Sequence, residues 1–69
     1  MMCRAAVDGE IVRLARLVAQ GGGVWVGIQR RKQGSDLALF NAPSGTTLSL
    51  PVEQVTAKAV AARIQEAAR

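Results

Sequence analysis

The chain has no histidine and no tyrosine, and only one cysteine, one tryptophan and one phenylalanine among its 69 residues. Without histidine it lacks the side chain that ordinarily exchanges protons near neutral pH, and it lacks an imidazole ligand for zinc. A Ser or Cys nucleophile would have no imidazole base beside it. The single Cys3 excludes a disulfide within the chain and reads as an incidental thiol in a reducing compartment. The five carboxylates, Asp8, Glu10, Asp36, Glu53 and Glu66, fall on helix starts, turns and exposed helix faces without metal-ligand spacing. These absences argue against an enzyme, a metal site and a cofactor, and no small-molecule substrate is evident. Long apolar runs are missing too. Arg13 and Arg16 interrupt the first apolar stretch, so neither a secretory segment nor a span of about 18 apolar residues is seen. The expected location is the cytoplasm, with no membrane partner.

What is present describes one small globular domain over residues 1–69, with 1–7 expected to fray: hydrophobic residues make up 49% and charged residues 20%. Eight Val, six Leu and three Ile with Trp25 and Phe40 supply the core. Domains of this size are often marginal without a staple, a metal or a partner. The expectation is therefore a homodimer or a protein held by another protein. Nine Lys and Arg against five Asp and Glu give a net charge of +4, a hint toward nucleic acid or another acidic partner. Only Arg30-Arg31-Lys32 concentrates that charge. Seven Arg to two Lys, with abundant Ala and Gly, matches the composition of a high-GC bacterial or mobile-element genome.

Gly9 to Gln20 has helical periodicity, with Ile11, Val12, Leu14, Ala15, Val18 and Ala19 in one sector and Leu17 on its border. Asp8 is the expected N-cap. A competing reading makes Asp8-Gly9 a hairpin turn, but the helical sectoring is the better fit. Gly21-Gly22-Gly23 ends the helix and reads as a flexible connector. A strand follows over 24–30, with Val24, Val26 and Ile28 on one side and Trp25, Gly27 and Gln29 on the other. Strands over 37–41 and 46–50 follow, separated by a polar turn with Gly34 and by Asn41-Ala42-Pro43-Ser44-Gly45. Thr56 is the expected N-cap of a last helix, which buries Val60 and Ile64 among Ala57, Ala61, Ala67 and Ala68.

This order predicts a two-layer α+β domain: helix, three-stranded antiparallel meander, helix (αβββα), with both helices on one sheet face. Element order and length resemble those of the double-stranded-RNA-binding domain. That family carries a lysine cluster at the start of its last helix, where this chain has Thr56-Ala57-Lys58-Ala59 and a single lysine. The resemblance is one of topology and does not transfer a function.

If Arg30 pairs with Leu37, Gly27 lies opposite Phe40 with Trp25 diagonal to it, and both aromatics share the sheet face that the helices leave open. Three uses of such a face compete. It is simple cross-strand packing, or a surface for a protein partner or a second copy, or a platform where nucleic-acid bases stack on Trp25 and Phe40. The candidate contact residues are Trp25, Phe40, Gln29, Arg30, Arg31 and Lys32. The leading expectation is a non-enzymatic protein-binding module, an accessory, regulator or inhibitor, acting through the open sheet face and the basic hairpin. The alternative is a small basic nucleic-acid-binding protein using the same face.

Overall fold

A computed structural model describes the backbone of residues 2–69 and the side chains of residues 9–69. The elements run α1 (Met2–Gln20), β1 (Val24–Gln29), β2 (Leu37–Asn41), β3 (Thr47–Pro51), a 3-10 turn (Val52–Gln54) and α2 (Ala57–Ala67). The strands form one antiparallel sheet in the order β1-β2-β3. Helix α1 packs on β1, α2 packs on β3, and the two helices touch each other. This is the αβββα arrangement that the element order predicts.

Helix α1 begins before Gly9, so Asp8 lies inside it and is not its N-cap, and the competing hairpin at Asp8-Gly9 is absent. The backbone ladder simply continues through Gly9, at the ordinary cost of about 1 kcal/mol for a mid-helix glycine. Of the segment expected to fray, residues 2–7 form the start of α1, and residue 1 and the side chain of Cys3 lie outside the described residues. The buried stripe of α1 is Leu14, Leu17 and Val18, whereas Val12 is 48% exposed and Ala19 faces water. The i, i+3, i+4 spacing of those three residues continues to Gly21, where α1 meets α2.

The three glycines after α1 build a defined corner rather than a flexible connector. The Gly23 N–H donates to the Val18 carbonyl at 2.9 Å and the Gly22 N–H to the Ala19 carbonyl at 3.0 Å, while Gly22 has φ +95°. This pair of bonds around a left-handed residue is a Schellman motif, which satisfies carbonyls left over at the helix end. Gly21 is glycine for a different reason. A Cβ there would stand 2.6 Å from both the Ala57 carbonyl oxygen and the Val60 Cβ, so a side chain would push the helices apart.

At the other end of the sheet Pro51 closes β3, and its 3-10 turn leads to α2. Thr56 caps α2 as expected: its hydroxyl accepts from the Ala59 N–H at 3.0 Å. Val60 is fully buried and Ile64 packs at the core's margin, while Ala67 and Ala68 are exposed, contrary to their expected place beside the sheet. They belong to the last turn of α2, beyond the residues that reach the core.

The register decides which side of the sheet is covered. Trp25 pairs with Phe40 and Phe40 with Leu48; Ile28 pairs with Ala38 and Ala38 with Leu50. Directly paired residues point to the same face, so these two rows form the covered face. Phe40, Ala38, Leu14, Val18 and Val60 are fully buried there. The expected shared face for the two aromatics exists, but it is the face under the helices. The regular alternation of β1 fails because the register shifts between Trp25 and Gly27. One extra residue in a bulge turns both Trp25 and Ile28 inward, although three positions separate them.

Candidate interaction surface

The opposite face of the sheet carries no helix. Across it run the row Val24–Asn41–Thr47, a second row in which Val26 and Gly27 of the bulge stand against Leu39 and Ser49, and the row Gln29–Leu37–Pro51. Leu39 lies at its centre, on the central strand and in the central row. Val24 is 62% exposed and Val26 51%, the largest values among the exposed bulky apolar residues. Leu37 and Leu39 are half-buried and stand outside the core cluster. None of the residues in these rows is charged. Thr47 donates its hydroxyl to the Asn41 carboxamide oxygen at 2.8 Å, which fixes one polar end of the face.

This composition differs from the expected one. Phe40 is inaccessible and Trp25 packs against the core, so neither stands on the open face. Gln29 does stand there, at the exposed end of β1. The apolar residues actually presented are Val24, Val26, Leu37 and Leu39. Their signal in the sequence is Gly27, because a glycine inside a strand pattern marks a bulge or a close approach of another backbone.

Arg30, Arg31 and Lys32 sit on the exposed loop from 30 to 36, at the rim next to Gln29. The loop is held at its base. The Arg31 N–H donates to the Asp36 carboxylate at 3.2 Å, the Asp36 carbonyl accepts from the Val52 N–H at 3.0 Å, and the Ser35 hydroxyl donates to the Glu53 carboxylate. The Ser35 hydroxyl, with a backbone hydrogen bond at Glu53, holds the Glu53 carboxyl below the usual carboxylate range. Gly34, at φ +82°, turns the chain beneath the Arg31 guanidinium. Neither salt bridge among the described residues involves the three loop cations: those pairs are Arg13–Glu10 and Arg63–Glu66, both on helix surfaces.

One cleft, of about 550 Å³, opens between the β2–β3 turn and the end of α2, lined by Ala42, Pro43, Ser44, Thr46, Ile64, Ala67 and Ala68. Its polar groups are two hydroxyls within hydrogen-bond distance of each other, Ser44 and Thr46 at 3.2 Å, and backbone amides. Among the described residues no three His, Cys, Asp or Glu side chains gather where they would hold a metal, and no helix is long and apolar enough to cross a membrane. No protein-family model matches the chain, and no curated protein or solved structure is significantly similar to it.

Proposed function

We propose that this chain is a small non-enzymatic protein-binding module, an accessory, regulator or inhibitor, that docks a protein on the open face of its sheet. The observation that carries this reading is the exposure of Val24 and Val26 beside Leu37 and Leu39 on a face with no charged side chain. Contiguous apolar surface with polar surroundings is characteristic of interaction sites on small soluble domains. Covering it removes apolar area from water at roughly 25 cal/mol per Å², which drives docking without bond chemistry. Gln29, Asn41, Thr47 and Ser49 supply the polar margin, and the Arg30–Lys32 loop adds charge at the rim. Rim charges mainly set encounter rate and partner choice. The sheet face and its valines take the place of Trp25 and Phe40 as the contact residues.

Nucleic acid is the less favoured occupant. Single strands bind where bases stack on aromatic side chains along a cationic groove, and here both aromatics face the helices while the one cluster of cations, Arg30 to Lys32, sits on a single loop. The test is a photo-reactive residue at Val26 in the native host, with exposed Ala62 on α2 as the control position. The expected result is a protein adduct at position 26 and none at position 62. Absence of a protein adduct at 26 overturns the reading. So does oligonucleotide binding that weakens steeply between about 50 and 200 mM salt and is lost in Arg31→Ala.

A further inference from the structure

We infer that the partner docked on the open sheet face is an acidic protein, whose carboxylates pair with Arg30, Arg31 and Lys32 while its apolar side chains cover Val24, Val26 and Leu39. The inference rests on reading that face as a protein-binding surface and names the chemistry of the partner. The placement of charge carries it. Between the end of α1 at Gln20 and the 3-10 turn at Val52, the charged residues are Arg30, Arg31, Lys32 and Asp36, all on the loop between β1 and β2. That loop adjoins the row Gln29–Leu37–Pro51. The opposite end of the face, where Val24, Asn41 and Thr47 stand beside the 42–46 turn, carries no charge. The face is thus neutral along its length and cationic at one end.

The anions nearest the loop do not pair with its cations. Asp36 gives its carboxylate to the Arg31 backbone N–H at 3.2 Å, and Glu53 on the 3-10 turn gives its own to the Ser35 hydroxyl. Among the described residues no carboxylate lies within 4 Å of the Arg30, Arg31 or Lys32 charge, whereas Arg13 and Arg63 on the helices each have one. The two carboxylates instead fix the shape of the loop, together with the Asp36–Val52 backbone bond and the turn at Gly34. A loop held at its base loses less conformational entropy on binding than a slack one. Its three cations are therefore presented in place and without a counter-charge.

Three strands about 4.8 Å apart and five residues long at about 3.3 Å each cover roughly 240 Å² in plan. A stable complex buries roughly 800 Å² per partner, so a partner held here extends past the strands. Where it reaches the loop it covers exposed cations, which is unfavourable unless it brings carboxylates to them. A second copy of the chain does not meet that need, because each copy carries a net +4 and its own open face has no carboxylate. A nucleic acid would supply anions, but it has little to cover Val24, Val26 and Leu39, and no aromatic stands on the face for its bases to stack on.

The test places a photo-reactive residue in the full chain at Gln33, exposed on the loop, and separately at Val26, and sequences the adducts formed in the native host. The expected result is one protein captured from both positions, at 33 through a segment rich in Asp and Glu and at 26 through apolar residues. Arg30→Glu with Lys32→Glu leaves Arg31 in place over Gly34. It should cut the adduct at 26 about tenfold or more and keep the wild-type circular dichroism spectrum. If that variant loses its fold, Arg30→Gln with Lys32→Gln replaces it and should cut the adduct about threefold. Val26→Lys puts an unpaired charge into the apolar contact and should lower the adduct at 33 about tenfold. A protein adduct at 26 that the folded charge variant leaves intact overturns the inference. So does a position 33 that captures nothing, a segment without acidic residues, a nucleic acid or a second copy, or whose adduct is indifferent to Val26→Lys. In each of these cases a protein adduct at 26 leaves the docking surface standing. Without one, both readings fall.

Discussion

Trp25 and Phe40 are direct cross-strand partners on the helix-covered side of the sheet, Phe40 fully buried and Trp25 packed against the core cluster. The pair joins the exposed edge of β1 to the centre of the core, where Phe40 also faces Leu48 across β2–β3. Truncating Phe40 leaves a cavity that the surrounding strands and helices cannot fill.

Phe40→Ala should therefore cost about 3–5 kcal/mol, a large part of the stability of so small a domain. Urea unfolding followed by the fluorescence of Trp25, the only tryptophan, measures it directly. The expected outcome is a population largely unfolded in buffer or a midpoint lowered far beyond error. An unchanged midpoint would place Phe40 outside the core. A contact residue on an open face would instead leave folding intact and reduce only association, which is the behaviour expected of Val26→Lys.

The architecture was legible in the sequence because each element carries its own local signal. Thr56 before a helical stripe, Pro43 to Gly45 between two strands, and alternation in β2 and β3 all mark boundaries that backbone chemistry enforces. Which sheet face would be covered was not legible. Alternation tells which residues share a side, but both sides of this sheet are apolar enough to be buried. Leu37 and Leu39 compete with Ala38 and Phe40 on β2, and register settles the choice: Leu48 and Leu50 stand beside Phe40 and Ala38, not beside Leu39 and Leu37. In β1 the bulge at Val26 and Gly27 then reverses the expected parity, and this exposes two valines that the pattern assigns to the core. The candidate site moved with the faces.

The glycine corner after α1 allows a comparison of two costs at neighbouring positions. Gly22→Ala forces a Cβ into the left-handed region, worth about 1–2 kcal/mol, and Gly22→Asn should cost less because asparagine tolerates that conformation. Gly21→Ala meets the Ala57 carbonyl oxygen and Val60 Cβ at 2.6 Å, backbone and buried core that have little room to shift. Overpacking of this kind costs about 1–3 kcal/mol. Denaturation midpoints should fall in the order wild type, Gly22→Asn, Gly22→Ala. For Gly21, replacement by alanine and by asparagine should both destabilise, with no relief from asparagine. Equal rescue by asparagine at both positions would mean that Gly21 too answers a conformational demand and not helix contact.

Glu53 gives the fold a pH dependence confined to the acid side. Its carboxylate accepts from the Ser35 hydroxyl and is held below the usual carboxylate range, chiefly by that bond. A carboxyl with a lower pKa folded than unfolded stabilises the fold above the unfolded value, and the contribution fades as pH falls through the folded one. The group is fully exposed, so the effect is small and weakened by salt. Wild type should exceed Glu53→Gln in thermal midpoint at pH 7, with the gap closing as pH is lowered through the carboxylate range. Ser35→Ala should remove most of the same gap, because it deletes the donor that lowers the pKa. An NMR titration of the Glu53 side chain in the two proteins locates the cause: its midpoint should move up toward the ordinary carboxylate range in Ser35→Ala. If the midpoint stays where it was, the Ser35 hydroxyl does not stabilise the carboxylate, and the tie between the basic loop and the turn before α2 reduces to the Asp36–Val52 backbone bond.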